Sequence, residues 1–328
     1  MYSMPEPLIF TVTEEERVRL DVYLAHRVTG LTRSGIKNLI GNGLVLVNGR
    51  MVKAGYSLRP GDSISITVPE PQKPTLVPEP IPLDILYEDD DIIVVNKPPG
   101  LAVHPGAGRR TGTLVNALVN YTDKLPGLGA PLRPGIVHRL DMDTTGALVV
   151  ARNDNAYKNL AAQFKAHTTV RKYRALVWGV VRNDAGVIDL PLGRSIADRK
   201  KISTRARRKR TAMTEFRVLG RYPGLTLLEL VPRTGRTHQI RVHLAAINRP
   251  VVGDRTYGPD KKGLPPGGTL PKEVSDRVGS VGRQLLHAMV LGIKHPVTEE
   301  YMEFTAPLPP DMAGMIKFLD ERYGHGGR

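Results

Sequence analysis

The sequence predicts an α+β protein in two parts, a small α/β module followed by a larger, strand-rich domain with interspersed helices. Three observations predict it. Residues 12–70 join two stretches of helical apolar spacing to a strong hairpin signal. Residues 71–83 are rich in proline and carry no apolar periodicity. From Asp84 onward, short apolar runs bounded by turn residues dominate, with helical stretches between them. A chain of 328 residues is long enough for both parts.

In the small module, Leu20, Tyr23, Leu24 and Val28 fall at helical spacing. Thr32 is placed to cap a second helix carrying Ile36, Leu39 and Ile40, which Gly41 and Gly43 stop. Residues 44–47 and 51–52 flank Asn48-Gly49, the pair that a two-residue hairpin turn favours. Leu58-Arg59-Pro60-Gly61-Asp62 then turns into a last strand, 63–68. The following prolines, through Pro78, Pro80 and Pro82, read as an extended, semi-rigid linker.

The large domain is expected over 84–320, with 321–328 as a flexible tail. A strand at 91–97 ends in Asn96-Lys97-Pro98-Pro99-Gly100-Leu101, a turn in which Lys97 is placed to neutralise a phosphate. Residues 113–121 read as a helix with Leu114, Ala117, Leu118 and Tyr121 inward. Alternation along 171–179 puts Tyr173, Ala175 and Val177 on one face of a strand and Arg174, Leu176 and Trp178 on the other. Residues 233–244 open a helix that Thr237 can cap, with Ile240, Leu244 and Ile247 as its buried stripe. Its Arg-flanked, Gly-containing start is a candidate phosphate seat, with Arg236 in it.

The 47 basic residues exceed the 32 acidic ones by 15 charges, an excess that fits a polyanionic partner. RNA, DNA and an anionic membrane all fit, and Lys200 and Lys201, in a basic loop continued at 205–210, are candidate contacts for such a partner. The absence of cysteine excludes disulfides, thiolate catalysis and Cys-ligated zinc in this chain. His238 and His243 sit among arginines that would repel a cation, so a catalytic metal is not expected. No apolar run reaches the roughly 18 residues of a membrane span. The N-terminus has Pro and Glu where a secretory signal needs basic and then apolar residues, so a cytoplasmic protein without a membrane partner is expected.

The densest chemistry lies in Gly135-Ile136-Val137-His138-Arg139-Leu140-Asp141-Met142-Asp143-Thr144-Thr145-Gly146, followed by the apolar run 147–151. A polar loop held by strands at both ends is a stiff mount for a reactive carboxylate. The same string also fits a tight hairpin in which Asp141 or Asp143 caps backbone amides.

This string resembles the H-R-L-D-x-x-T-(S/T)-G signature of the pseudouridine synthases that modify ribosomal and transfer RNA. Asn96-Lys97-Pro98 with Val103-His104-Pro105 resembles the family's first motif, and Gly235-Arg236-Thr237-His238-Gln239-Ile240-Arg241-Val242-His243 another. Arg33-Ser34, Lys37, Gly43 and Val47-Asn48-Gly49 resemble the S4 RNA-binding domain. The resemblance covers about residues 12 to 318. Met142 and Arg152 stand where lysine is frequent, and neither removes a group the chemistry uses.

The resemblance implies a mixed, largely antiparallel central sheet and an isomerase acting on RNA without a cofactor. It makes Asp141 the catalytic residue, Tyr173 the ring against the target base and Arg241 the charge partner of Asp141. Arg139 would fill the space that a flipped uridine leaves, and Arg33, Lys37, Arg50 and Lys53 would contact phosphates. Strings around Asp254 and His287 also match the family and read as scaffold. The substrate expected is large-subunit ribosomal RNA, free or within pre-50S or 50S particles, with helix 69 as target as in the D-type enzymes, and the protein a monomer. Other ribosomal sites, transfer RNA, or a non-catalytic assembly factor are the alternatives. A two-carboxylate glycosidase is disfavoured, because acids two apart in one turn cannot flank a bond at about 5 to 9.5 Å.

Affinity for RNA is expected to fall steeply with salt, its logarithm linearly with log salt concentration, as for a phosphate-dominated interface. A flat response in a binding titration would remove the basic loop and the small module as the RNA surface.

Overall fold

The protein is described here by a computed structural model covering residues 6–13, 18–29, 31–68, 76–106, 108–126, 133–198, 201–259 and 270–324. It divides into two compact units, Met1–Pro74 and Thr75–Arg328.

The small unit runs β1 (Leu8–Thr11), α1 (Leu20–Arg27), α2 (Arg33–Gly41), β2 (Val45–Val47), β3 (Arg50–Met51) and β4 (Ser63–Ile66). Its sheet has the order β1-β4-β2-β3, all antiparallel. The Thr32 hydroxyl accepts from Gly35 N, as its place before α2 predicted. Asn48 and Gly49 both have positive φ, 50° and 74°, which is what the two-residue turn between β2 and β3 requires. Ile64 and Ile66 alternate with serines on β4 and are fully buried against Leu20, Leu24 and Ile36. Each such side chain contributes about 1.5–3 kcal/mol by burial. The strand β1 lies ahead of residue 12, where the module was expected to begin.

The large unit runs β5 (Ile85–Glu88), β6 (Ile92–Lys97), α3 (Leu114–Tyr121), β7 (Thr145–Ala151), α4 (Asp154–Ala166), β8 (Val170–Trp178), β9 (Ala185–Asp189), β10 (Gly193–Arg194), β11 (Ile202–Ser203), β12 (Met213–Tyr222), β13 (Leu225–Pro232), α5 (Gln239–Ala246), α6 (Lys272–Gly279), β14 (Leu286–Lys294), β15 (Tyr301–Thr305) and α7 (Pro310–Tyr323). The central sheet has the order β5-β6-β7-β14-β8-β13-β12-β9, with β15 added to β14. It is antiparallel except where β7 meets β14. That α+β architecture is the one expected.

Four details differ from expectation. The described part of the Pro-rich segment is docked on α3: Asn116 donates to Val77 O and Glu79 accepts from Gly112 N. Tyr121 is exposed on α3 and its hydroxyl donates to Glu88. Residues 321–323 are the last residues of α7, with Arg322 and Tyr323 both bonded to Glu273. The first apolar run of the Asp-rich loop is reduced to a single bridge, Ile136 to Val150.

Two glycines frame that loop. A Cβ at Gly135 would run into the Ala151 carbonyl, and one at Gly146 into the Ala288 backbone; both residues have positive φ, 72° and 113°. Gly146→Ala is expected to destabilise the protein by about 3 kcal/mol, the top of the usual range for one substitution. Gly314→Ala, in an exposed position of α7 with open space around it, is expected to stabilise by about 0.5–1 kcal/mol. Urea unfolding of both variants checks the contrast.

Candidate active site

One row of the sheet assembles the site. Gly146 of β7 pairs with Ala288 of β14, Ala288 pairs with Tyr173 of β8, and Tyr173 pairs with Leu230 of β13. The Asp141 loop enters this row from β7, and the turn carrying Arg236 leaves it two residues beyond Leu230. Tyr173, Ile240 and Leu286 line a cavity of about 660 Å³, with Asp141 and Arg241 also in its wall. That volume is in the range of small-molecule sites.

Arg241 sits in α5, whose Ile240 and Leu244 pack on Ala175, Val177 and Leu230. The expected cap, Thr237, is not the one used: His238 takes the N-cap with φ 54° and makes no capping bond. Gln239 shapes the approach instead. Its side-chain oxygen accepts from Thr234 and from Arg236 N, while its amide donates to Met213 O and Thr214 Oγ1.

The Arg241 guanidinium is 7% exposed and has two carboxylates against it. Nε and Nη2 donate to the two oxygens of Asp254 at 2.7 and 2.8 Å, and Nη1 donates to Asp141 Oδ2 at 2.9 Å. Burial works against the charge, but the bonds to Asp254 and the fields of both carboxylates hold the guanidinium pKa above its usual value. Asp254 is itself held below the ordinary carboxylate range: desolvation opposes this, and Arg241 with the Tyr257 and Thr256 amides overcomes it.

His238 Nε2 lies 3.8 Å from the other oxygen of Asp141, and its Nδ1 is 2.8 Å from the Tyr257 hydroxyl. Burial lowers the imidazole's pKa against the pull of Asp141, which favours the neutral ring. Burial likewise raises the Tyr173 phenol, with the Arg171 charge opposing.

Two buried cations hold the loop by its carbonyls. Lys97, fully buried, donates to Pro98, Leu101 and Met142 oxygens at 2.8, 2.9 and 2.8 Å. Arg283 donates to Asp143 O at 3.1 Å while forming a bidentate pair with Asp311.

Residues 91–246 match the family model described as RNA pseudouridylate synthase, and residues 18–64 match the S4 domain. An uncharacterised RNA pseudouridine synthase of Bacillus subtilis is 46% identical over 310 residues, covering 94% of this chain and 97% of that protein. The chain belongs to the RNA pseudouridine synthases. Ribosomal large subunit pseudouridine synthase D of Zymomonas mobilis is 41% identical, covering 94% of this synthase and 96% of its relative. Among solved structures, human RNA pseudouridylate synthase domain containing 4 aligns with a TM-score of 0.55 at 29% identity, over 72% of this chain and 92% of that one.

The other predicted residues of the synthase fall into three groups. Arg139 and Arg236 line the cavity, Arg139 exposed and Arg236 half-buried with Nε on Thr211 O. Arg33 and Lys37 both reach the buried Asp21, 3.0 and 3.6 Å away, yet stay 52% and 49% exposed; Arg50 and Lys53 are exposed on and beside β3. Arg19 is the first cause holding Asp21 far below the usual carboxylate range, against burial and with Arg33 assisting. Lys201 is exposed, and Lys200 lies outside the described residues.

Lys97 is a correction. Its ammonium is fully buried and its donors are taken by three carbonyls, so it is not open to a phosphate at the surface. Burial draws its pKa down to about 7, against the charges of Asp143 and Asp141. Asp254, Tyr257, His238 and Arg283 were missed as site residues. Asp254 stood in a string read as scaffold, and nothing local marks it as the partner of Arg241.

Among the described residues, Asp89, Asp91 and His295 are spaced to hold a cation. Their lone pairs are largely used: Asp89 accepts from Tyr87 and the Asp91 and Ile92 amides, Asp91 from Asn153, and His295 Nδ1 from Val297 and Thr298 amides. The cluster reads as a turn brace.

Asp254→Ala strips the bidentate partner from a buried guanidinium and is expected to cost about 3–5 kcal/mol in urea unfolding. Asp141→Ala leaves that partner in place and is expected to cost less than half as much. Equal costs would mean that the two carboxylates share the charge evenly.

Proposed function

We propose that Asp141 is the catalytic carboxylate, acting on the ribose of a flipped-out uridine in large-subunit ribosomal RNA, with helix 69 as the target. The observation that carries this reading is the Asp141–Arg241 pair in the wall of a cavity that Tyr173 also lines. Pseudouridine formation breaks the bond between C1′ and uracil N1, turns the base and rejoins it through C5. The C5 proton leaves and N1 gains one, so no electron carrier is needed. An ionised oxygen at Asp141 serves attack at C1′ or removal of the C2′ proton equally well.

Tyr173 offers a flat face for uracil, and the cavity keeps the freed base from escaping while it turns. His238 lies 3.8 Å from the second oxygen of Asp141, beyond hydrogen-bond distance, and is held by the Tyr257 hydroxyl. Flipping the uridine costs a few kcal/mol of stacking, and Arg139, exposed and lining the cavity, enters the gap in this reading. The ribosomal target is supported by the relatives in Zymomonas mobilis and Pasteurella multocida, which are named ribosomal large subunit pseudouridine synthase D.

Release of tritium from C5-labelled uridine in ribosomal RNA tests the reading. The native protein is expected to release it, and Asp141→Asn to be slower by at least about 10²-fold with RNA affinity retained. Undiminished release by Asp141→Asn would overturn the assignment. Pseudouridine mapping with and without the protein decides between helix 69 and other sites.

A further inference from the structure

Arg171 stands on β8 two residues ahead of Tyr173, so both side chains leave the same face of the strand. Two residues of strand advance about 6.6–6.8 Å, comparable to the separation of a nucleotide's base from its own phosphate. Both residues line the cavity. The Arg171 guanidinium donates from Nη2 to Pro232 O at 3.2 Å, at the end of β13. Its Nε is shut away from solvent and has no hydrogen-bond partner among the described residues. No ion pair to Arg171 occurs among those residues either. That enclosed Nε is not the atom an incoming anion would meet, but a guanidinium on a cavity wall with no carboxylate against it keeps its charge for an anion that comes from outside.

The surroundings point the same way. The turn after Pro232 approaches the guanidinium at Gly235, where an added Cβ would lie 3.3 Å from Nη1. The charge of Arg171 reaches Tyr173, whose phenol it pulls against the effect of burial. Asp141 is the acidic residue among those lining the cavity, and it faces Arg133, Arg139, Lys165, Arg171, Arg236 and Arg241 there. Arg171, Arg139 and Arg236 therefore leave the cavity with a positive excess that suits the backbone of a nucleic acid strand.

We propose that Arg171 forms a phosphodiester subsite, its guanidinium binding a phosphate next to the flipped uridine while the uracil lies against Tyr173. This rests on the reading of Tyr173 as the ring that takes the base. A planar fork of donors matches phosphate oxygens two at a time, so the subsite orients the nucleotide as well as attracting it. The ribose then lies between the two anchors, within reach of Asp141. A purely structural Arg171 would only tie β8 to β13 through Pro232 O, a bond that glutamine can also make.

The test is a double-mutant cycle between the side chain and single phosphates. A synthetic helix 69 stem-loop is made with one methylphosphonate, which removes one negative charge, at each phosphate around the loop uridines in turn. Binding is measured to the native protein, Arg171→Gln and Arg171→Lys. At one position flanking a loop uridine, neutralisation is expected to weaken native binding about tenfold, a loss of about 1.4 kcal/mol. Arg171→Gln is expected to weaken binding of the unmodified RNA by a similar factor and to be indifferent to neutralisation at that position. Arg171→Lys, which keeps the charge without the fork, is expected to fall between them and guards against misfolding of the glutamine variant. If every methylphosphonate weakens all three proteins by the same factor, Arg171 does not face a phosphate and the proposal fails. Tritium release from the same stem-loop by the native protein reads the catalytic assignment separately. Release without coupling removes the subsite alone, and coupling without release removes the catalytic reading alone.

Discussion

Arg241 is buried with its charge intact, and the surrounding structure is arranged around the need to match that charge. A desolvated guanidinium costs several kcal/mol unless its donors and its charge are met. Asp254 meets both through a bidentate pair, and the Thr256 and Tyr257 amides fix the Asp254 carboxylate in turn. The fork is therefore fixed before Asp141 is considered. Its remaining amino group, Nη1, points to one place, and the Asp141 loop is built to bring an oxygen there. Tyr257 completes the arrangement by lying under the guanidinium, 5.1 Å from ring centre to Cζ, and bonding His238 through its hydroxyl.

The loop needs its own constraints, because a carboxylate on a mobile turn would gain little from a fixed partner. Lys97 and Arg283 supply them by holding the carbonyls of Met142 and Asp143, the two residues after Asp141. Hydrogen bonds from charged donors are worth about 1.5–3 kcal/mol each, so the turn is fastened from two directions. Lys97 comes from the end of β6 and Arg283 from the segment ahead of β14, strands on either side of β7 in the sheet. The framing glycines allow the close backbone approaches on which this depends. Rigidity at Asp141 is thus a property of the sheet's centre.

Local features were legible in the sequence where local physics decides them. Asn48-Gly49, the Thr32 cap, the inward stripe of α5 and the alternation of β8 follow from turn chemistry and periodicity, and each stands where it was read. The family motifs carried the association of Asp141 with Arg241 across 100 residues. Partners without a local signature stayed hidden. Asp254 reads as a turn residue until the fold sets it against Arg241, and Lys97 reads as a surface cation until three carbonyls enclose it. The docking of residues 77–81 on α3 was equally invisible, since proline-rich sequence looks the same free or held.

Asp141 and Asp143 show how one turn can give two identical side chains different work. Asp141 lines the cavity and holds Arg241, with His238 beside its second oxygen. Asp143 is not among the residues lining the cavity; its carbonyl is bonded by Arg283, and its charge acts on buried Lys97. A reaction that needed two carboxylates on opposite sides of a bond would find a single one here. The cavity presents one carboxylate, Asp141, beside Tyr173. The separation of the two aspartates therefore argues against a hydrolysis that needs a carboxylate on each side of the bond, independently of the motif that names the family.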